Sequence, residues 1–146
     1  KAGMQPEAFN LEIKESVVLE GLDDTIQKIT ELKSIGISFS IDDFGTGYSS
    51  LGYLTRLPVN ELKIDRTFIK GIPADVNNMA IVEAVLAMAS HLGFNITAEG
   101  VETRQQLQFL KQQSCHFYQG YLASKPLPAD VMAEYASQFL HKNKSA

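Results

Sequence analysis

Four short segments of this chain alternate apolar and polar residues, and in each the polar set includes an ionisable group. Successive side chains on a strand point to opposite faces. Phe9, Leu11 and Ile13 therefore share one face, with Asn10 and Glu12 on the other. The same division sets Ile37, Phe39 and Ile41 against Ser38, Ser40 and Asp42. It sets Leu62 and Ile64 against Glu61, Lys63 and Asp65, and Phe94, Ile96 and Ala98 against Asn95, Thr97 and Glu99. A parallel strand covered on both sides reads as a nearly continuous apolar run. These strands have only one apolar face each. That face must meet helices, and the polar faces must meet one another around an interior that holds water or ions.

Between the strands the spacing predicts helices. One runs from Leu22 to Ser34 with Ile26, Ile29 and Leu32 inward, and Gly36 is placed to stop it. A short helix over Ser49 to Arg56 ends before Pro58. A longer helix spans Asn77 to Leu92 with the stripe Ile81, Val85, Met88 and Leu92, Met88 serving as core filler. Thr103 caps a helix through Gln112 with Leu107 and Leu110 inward, and a terminal helix covers Ala129 to His141. Lys1 to Glu7, Lys14 to Ser16, Arg66 to Val76 and Lys125 to Pro128 read as connections, and His116 to Tyr121 as a last, less regular strand. Strand and helix alternate with short links, which predicts an α/β fold with a parallel sheet and right-handed crossovers in one domain, residues 1–146.

A net charge of -4 argues against a nucleic-acid polymer or a membrane surface as partner, since both need a basic face. The single cysteine, Cys115, excludes an internal disulfide and fits a reducing, cytoplasmic setting. No apolar run approaches the ~20 residues of a membrane span, and no signal peptide is evident. The chain opens on Lys1, which suggests a piece of something longer.

The chemistry gathers at the strand ends. Asp42 and Asp43 are adjacent carboxylates at the mouth of their strand, followed by Gly45 and Gly47 in a turn. Two carboxylates this close repel unless a positive charge sits between them, and a divalent cation is the usual solution. In a closed parallel barrel the carboxyl ends of the strands lie on one rim. Glu12, Asp42, Asp43 and Glu99 would supply hard oxygen ligands suited to Mg²⁺ or Mn²⁺, with Asp42 central and bridging. Lys63 beside them would hold a water or a phosphate oxygen, as two-metal phosphodiester hydrolysis requires. His91, His116 and His141 do not cluster, which disfavours a zinc site of Cys and His.

Leu11-Glu12-Ile13-Lys14-Glu15-Ser16, Asp42 to Ser50, Leu62-Lys63-Ile64-Asp65, Ala98-Glu99-Gly100-Val101-Glu102 and Gln119-Gly120-Tyr121 resemble, in order and spacing, the EAL domain. That family comprises bacterial phosphodiesterases of cyclic di-GMP built on a modified TIM barrel. The resemblance implies that Glu12 and Asp42 bind a first metal, that Asp42, Asp43 and Glu99 hold a second, and that Lys63 positions the attacking water. It places Gln119 beside substrate or water. It makes Asp43 to Ser50, with Phe44, Gly45, Thr46 and Gly47, a loop linking metal binding to a homodimer, with Glu15 as its anchor. The implied reaction opens cyclic di-GMP to linear pGpG, in a protein that can carry a sensory or GGDEF-type domain as well.

Two features depart from the pattern. The Glu-Ala-Leu tripeptide and a later asparagine ligand are not in this sequence, so the resemblance makes it the C-terminal part of the domain, about strands four to eight of a (β/α)8 barrel. Lys14 stands where threonine is frequent, a change expected to be minor. Two other readings compete with the enzyme: a catalytically inactive cyclic di-GMP receptor or protein-interaction module, and an inert folding fragment.

Overall fold

The computed structural model describes residues 3–46 and 51–143, with only the backbone of 51 and 139–143. Five strands form one parallel sheet: β1 (Asn10–Lys14), β2 (Ser38–Phe44), β3 (Glu61–Ile64), β4 (Asn95–Glu99) and β5 (Phe117–Gln119). Six α-helices accompany them among the described residues: α1 (Glu15–Glu20), α2 (Leu22–Lys33), α3 (Arg66–Gly71), α4 (Val76–Leu92), α5 (Arg104–Gln112) and α6 (Ala129–Asn143). Short 3-10 turns cover Pro6–Ala8 and Leu51–Arg56.

The order across the sheet is β1-β2-β3-β4-β5, identical to the order along the chain. A doubly wound sheet reverses direction at a switch point. This one never does, so every crossover returns on the same side and the strands form an arc of the barrel type.

The core lies between that arc and the helices. Phe39, Ile41, Leu62, Ile64, Ile96 and Ala98 come from the strands, and Ile29, Val82, Leu86, Ala89, Phe109 and Leu110 from the helices; all are buried. The apolar sets of β2, β3 and β4 face this layer, as the alternation dictates. The outer strands are less covered: Leu11 on β1 and Phe117 and Tyr118 on β5 are exposed.

Several expectations need correction. Arg66 to Val76 contains α3 where a plain link is expected, because the Asp65 carboxylate accepts from Thr67 N–H at 2.8 Å and caps a helix too short to show periodicity. Likewise Lys14 to Ser16 is no simple link: α1 starts at Glu15 and buries Val18 before Gly21 ends it. Helix α4 presents Val82, Leu86 and Ala89 to the core, whereas Ile81 and Leu92 are exposed and Val85 and Met88 only flank the core. That helix is apolar nearly all round, so two adjacent stripes fit the same helical period and packing chooses between them. In α5, Gln106 and Phe109 join Leu110 inside, with Leu107 at the margin. Strand β1 starts one residue later than the pattern, at Asn10, and β2 runs past Ile41 to Phe44. Of the helix expected from Ser49, the 3-10 turn from Leu51 is seen; Ser49 and Ser50 lie outside the described residues.

Gly120 follows β5 with φ 157°, and a Cβ there would stand 2.2 Å from the Val101 carbonyl oxygen. Backbone cannot yield as a side chain can, so Gly120→Ala should cost about 2 kcal/mol or more. Gly52→Ala, where a Cβ meets nothing within 4 Å, should change stability little. Urea midpoints of the two variants check the contrast.

Candidate active site

The polar faces of the strands stack in two layers, two residues apart on each strand. In the lower layer Asn10 Nδ2 donates to Ser40 Oγ at 3.2 Å and to Glu61 Oε2 at 3.5 Å, and Thr97 Oγ1 donates to Glu61. The upper layer is ionic. Lys63 Nζ lies 2.6 Å from Glu12 Oε1, 2.5 Å from Glu99 Oε1 and 3.8 Å from Asp42 Oδ1. Residues from four strands thus converge at the carboxyl ends, with the ammonium at the centre.

Lys63 is rooted in the middle of β3, and its side chain is only 6% exposed. Burial pulls its pKa down, but hydrogen bonds to Glu12 and Glu99 outweigh that and hold it above the ordinary lysine value of 10.5. The group is therefore a fixed positive charge at neutral pH.

Asp43 is placed by a different device. The β2–β3 register shifts between Ile41 and Phe44, and Asp43 takes the left-handed conformation with φ 55°. A bulge at a barrel rim re-aims a side chain. The Asp43 carboxylate reaches across to β1, where Lys14 Nζ meets its Oδ2 at 3.0 Å. Lys14 is held above its ordinary pKa by the hydrogen bond and charge of Asp43, with smaller contributions from Asp42 and Asp65.

The loop after Asp43 is tied from below. Glu15 is 2% exposed; its Oε2 accepts from the Gly45 N–H at 3.0 Å and its Oε1 from the Tyr53 hydroxyl at 2.7 Å. Phe44 is buried, Gly45 has φ 94°, and Thr46 Oγ1 donates to the Asp43 carbonyl at 2.9 Å. Gly47 lies outside the described residues. Gln119 pairs in register with Glu99 at the end of β5 but is exposed, and among the described residues its side chain makes no hydrogen bond to the Lys63 cluster.

The structure brings Glu12, Asp42, Lys63 and Glu99 together as the alternation expects, and sets Asp43 and Glu15 on the adjoining loop. Sequence reasoning did not single out Tyr53 or the lower polar layer. The alternation of Asn10, Ser40, Glu61 and Thr97 carried the signal for that layer; nothing local marks Tyr53 as a partner of Glu15.

The donor set suits a hard divalent cation. Glu12, Asp42, Asp43 and Glu99 oppose two ammonium groups, Lys14 and Lys63, so negative charge is in formal excess. Asp42 Oδ1 is buried and has no hydrogen-bond partner among the described residues, which leaves a desolvated acceptor without a donor. As placed, no three Asp, Glu, His or Cys side chains among the described residues close on one point. Lys63 stands between them.

An arc of singly wound strands with its ionisable residues gathered at the carboxyl ends defines the active face of a TIM-type barrel. The EAL domain family matches residues 1–126, and the chain belongs to that family. It is 48% identical over 135 residues to the cyclic di-GMP phosphodiesterase NbdA of Pseudomonas aeruginosa, covering 92% of this chain and 17% of that protein. It is 45% identical over 129 residues to the bifunctional diguanylate cyclase/cyclic di-GMP phosphodiesterase MucR of the same organism, covering 88% and 19%. Among solved structures, the PaMucR phosphodiesterase in complex with c-di-GMP superposes with a TM-score of 0.85 at 44% identity, over 88% of this chain and 52% of that one. The EAL domain of Mycobacterium smegmatis DcpA gives 0.86 at 40% identity, over 93% and 61%. A manganese/cy-diGMP complex of Klebsiella pneumoniae BlrP1 gives 0.78 at 33% identity, over 85% and 32%. The chain thus spans less than a fifth of these curated relatives and 52% and 61% of the first two structures. Among the described residues no helix is long and apolar enough to cross a membrane.

Two outcomes follow from the geometry. Lys63→Met should destabilise the protein, because Glu12, Asp42 and Glu99 lose the charge between them. Raised in the folded state, the Lys63 pKa confers stability that is complete below the ordinary lysine value and lost as pH climbs past the raised one. The difference in urea midpoint between wild type and variant should therefore shrink from pH ~8 to pH ~11. Tyr53→Phe should cost about 1 kcal/mol through the lost donor to Glu15, seen in the same titration.

Proposed function

We propose that this chain forms the catalytic rim of a cyclic di-GMP phosphodiesterase, in which water attacks one phosphodiester and opens the ring to linear pGpG. The observation that carries the reading is the convergence of Glu12, Asp42 and Glu99 on Lys63 at the carboxyl ends of the strands, with Asp42 Oδ1 desolvated and without a hydrogen bond among the described residues. Relatives that print this activity in their names support it.

In this reading Glu12 and Asp42 hold one divalent ion, Mg²⁺ or Mn²⁺, and Asp42, Asp43 and Glu99 hold a second. When bound, such ions lower the pKa of water and offset charge on the phosphoryl oxygens. Lys63 donates to the attacking water or to a phosphate oxygen, and its rigid seat aims that donor without reorganisation. Gln119 flanks the same rim and orients substrate. Glu15 keeps the Asp43 loop in register, which couples the site to a homodimer formed through that loop.

The test is chromatographic detection of pGpG from cyclic di-GMP with Mg²⁺ or Mn²⁺. Loss of an outer partner of a metal ligand typically costs 10–100-fold, so Asp42→Asn, which alters a ligand itself, should lower turnover by more than about 100-fold. Chelation of the metal should stop it. The central position of Lys63, where an ion would otherwise meet three carboxylates, favours one rival reading: a receptor that binds the nucleotide without cleaving it. Binding by calorimetry with no pGpG under either metal would select the receptor.

A further inference from the structure

The two lysines of this site differ in a way that charge alone does not reveal. Lys63 projects from mid-strand into a closed setting and is hydrogen-bonded to Glu12 and counted among the buried residues. Lys14 is the last residue of β1 and the N-cap of α1, with its Cα fixed at the rim, but its side chain is 66% exposed. Its long aliphatic stem lets the ammonium either rest on Asp43 or withdraw into water. In register Lys14 sits opposite Asp42, so its root is one strand from the central carboxylate as well. Asp43, the carboxylate it holds, was re-aimed by the bulge toward this rim.

We propose that Lys14 is a tethered competitor for the divalent ion that would take Asp43. It rests on Asp43 in the metal-free protein and leaves when an ion takes that carboxylate, so it sets the metal concentration at which the site fills. The inference rests on the reading of this rim as a metal centre. The Lys14 ammonium brings one charge to Asp43 where a divalent ion brings two, and an exposed pair contributes little stability, so displacement is cheap but not free. The role is one of positioning and affinity, with no part in bond breaking.

Mn²⁺ binding, followed by the electron paramagnetic resonance of the free ion, tests this without any turnover. Lys14→Met removes the charge and keeps the stem, and Lys14→Arg keeps the charge. The Met variant should bind Mn²⁺ about 3- to 10-fold more tightly than wild type, and the Arg variant within about twofold. On an Asp43→Asn background the effect of Lys14→Met should fall below about twofold, since the carboxylate competed for is gone. Circular dichroism confirms that each variant is folded. Equal or weaker binding by Lys14→Met, with Mn²⁺ binding still abolished by Asp42→Asn, overturns the role of Lys14 and leaves the metal centre standing. No Mn²⁺ binding by folded wild type or by Lys14→Met overturns the metal centre, and the inference with it.

Discussion

An ammonium group lodged among three carboxylates is the constraint to which the rest of this structure answers. Lys63 could not sit almost wholly buried without partners, because an unpaired charge out of water costs several kcal/mol. Glu12, Asp42 and Glu99 come to it from β1, β2 and β4. For that to happen four strands must lie parallel, in sequence order, with polar residues on one face. The apolar face then has a single destination, the helical layer. Fold and site are in this sense one requirement: the ion cluster fixes which way each strand is turned, and the helices complete the other side.

Beneath the cluster the lower layer of Asn10, Ser40, Glu61 and Thr97 gives the ionic residues a hydrogen-bonded floor. Buried polar groups of this kind specify a structure only when they are satisfied. The Glu15 clasp does related work one step outward, turning a buried carboxylate into a double acceptor for a backbone amide and a phenol. The bulge at Asp43 holds a non-glycine residue in the left-handed conformation, and it is there that adjacent carboxylates are turned onto one rim.

Much of this was legible in the sequence because period-two alternation is a strong signal when one face must be buried. It placed Glu12, Asp42, Lys63 and Glu99 together before any coordinates, and the motif order carried Asp43 and Glu15. What stayed hidden had physical reasons. Helix α4 is apolar on several sides, so its inward stripe is chosen by its neighbours. Helices α1 and α3 are too short for periodicity and are set by a glycine stop and an aspartate cap. The Tyr53–Glu15 bond joins residues 38 positions apart with no shared pattern. The Lys14–Asp43 pair depends on the bulge that turns Asp43 toward β1, which no local pattern announces.

The agreement between strand order and chain order bears on how such a sheet can be assembled. Each strand pairs with the one that precedes it, so every β-α-β unit closes on its own neighbour and no segment must be threaded between strands already in place. Contacts of short sequence separation form at low entropic cost. The sheet can therefore be laid down one unit at a time, like courses of masonry. Its charged centre is completed only when β4 brings Glu99 to the growing edge.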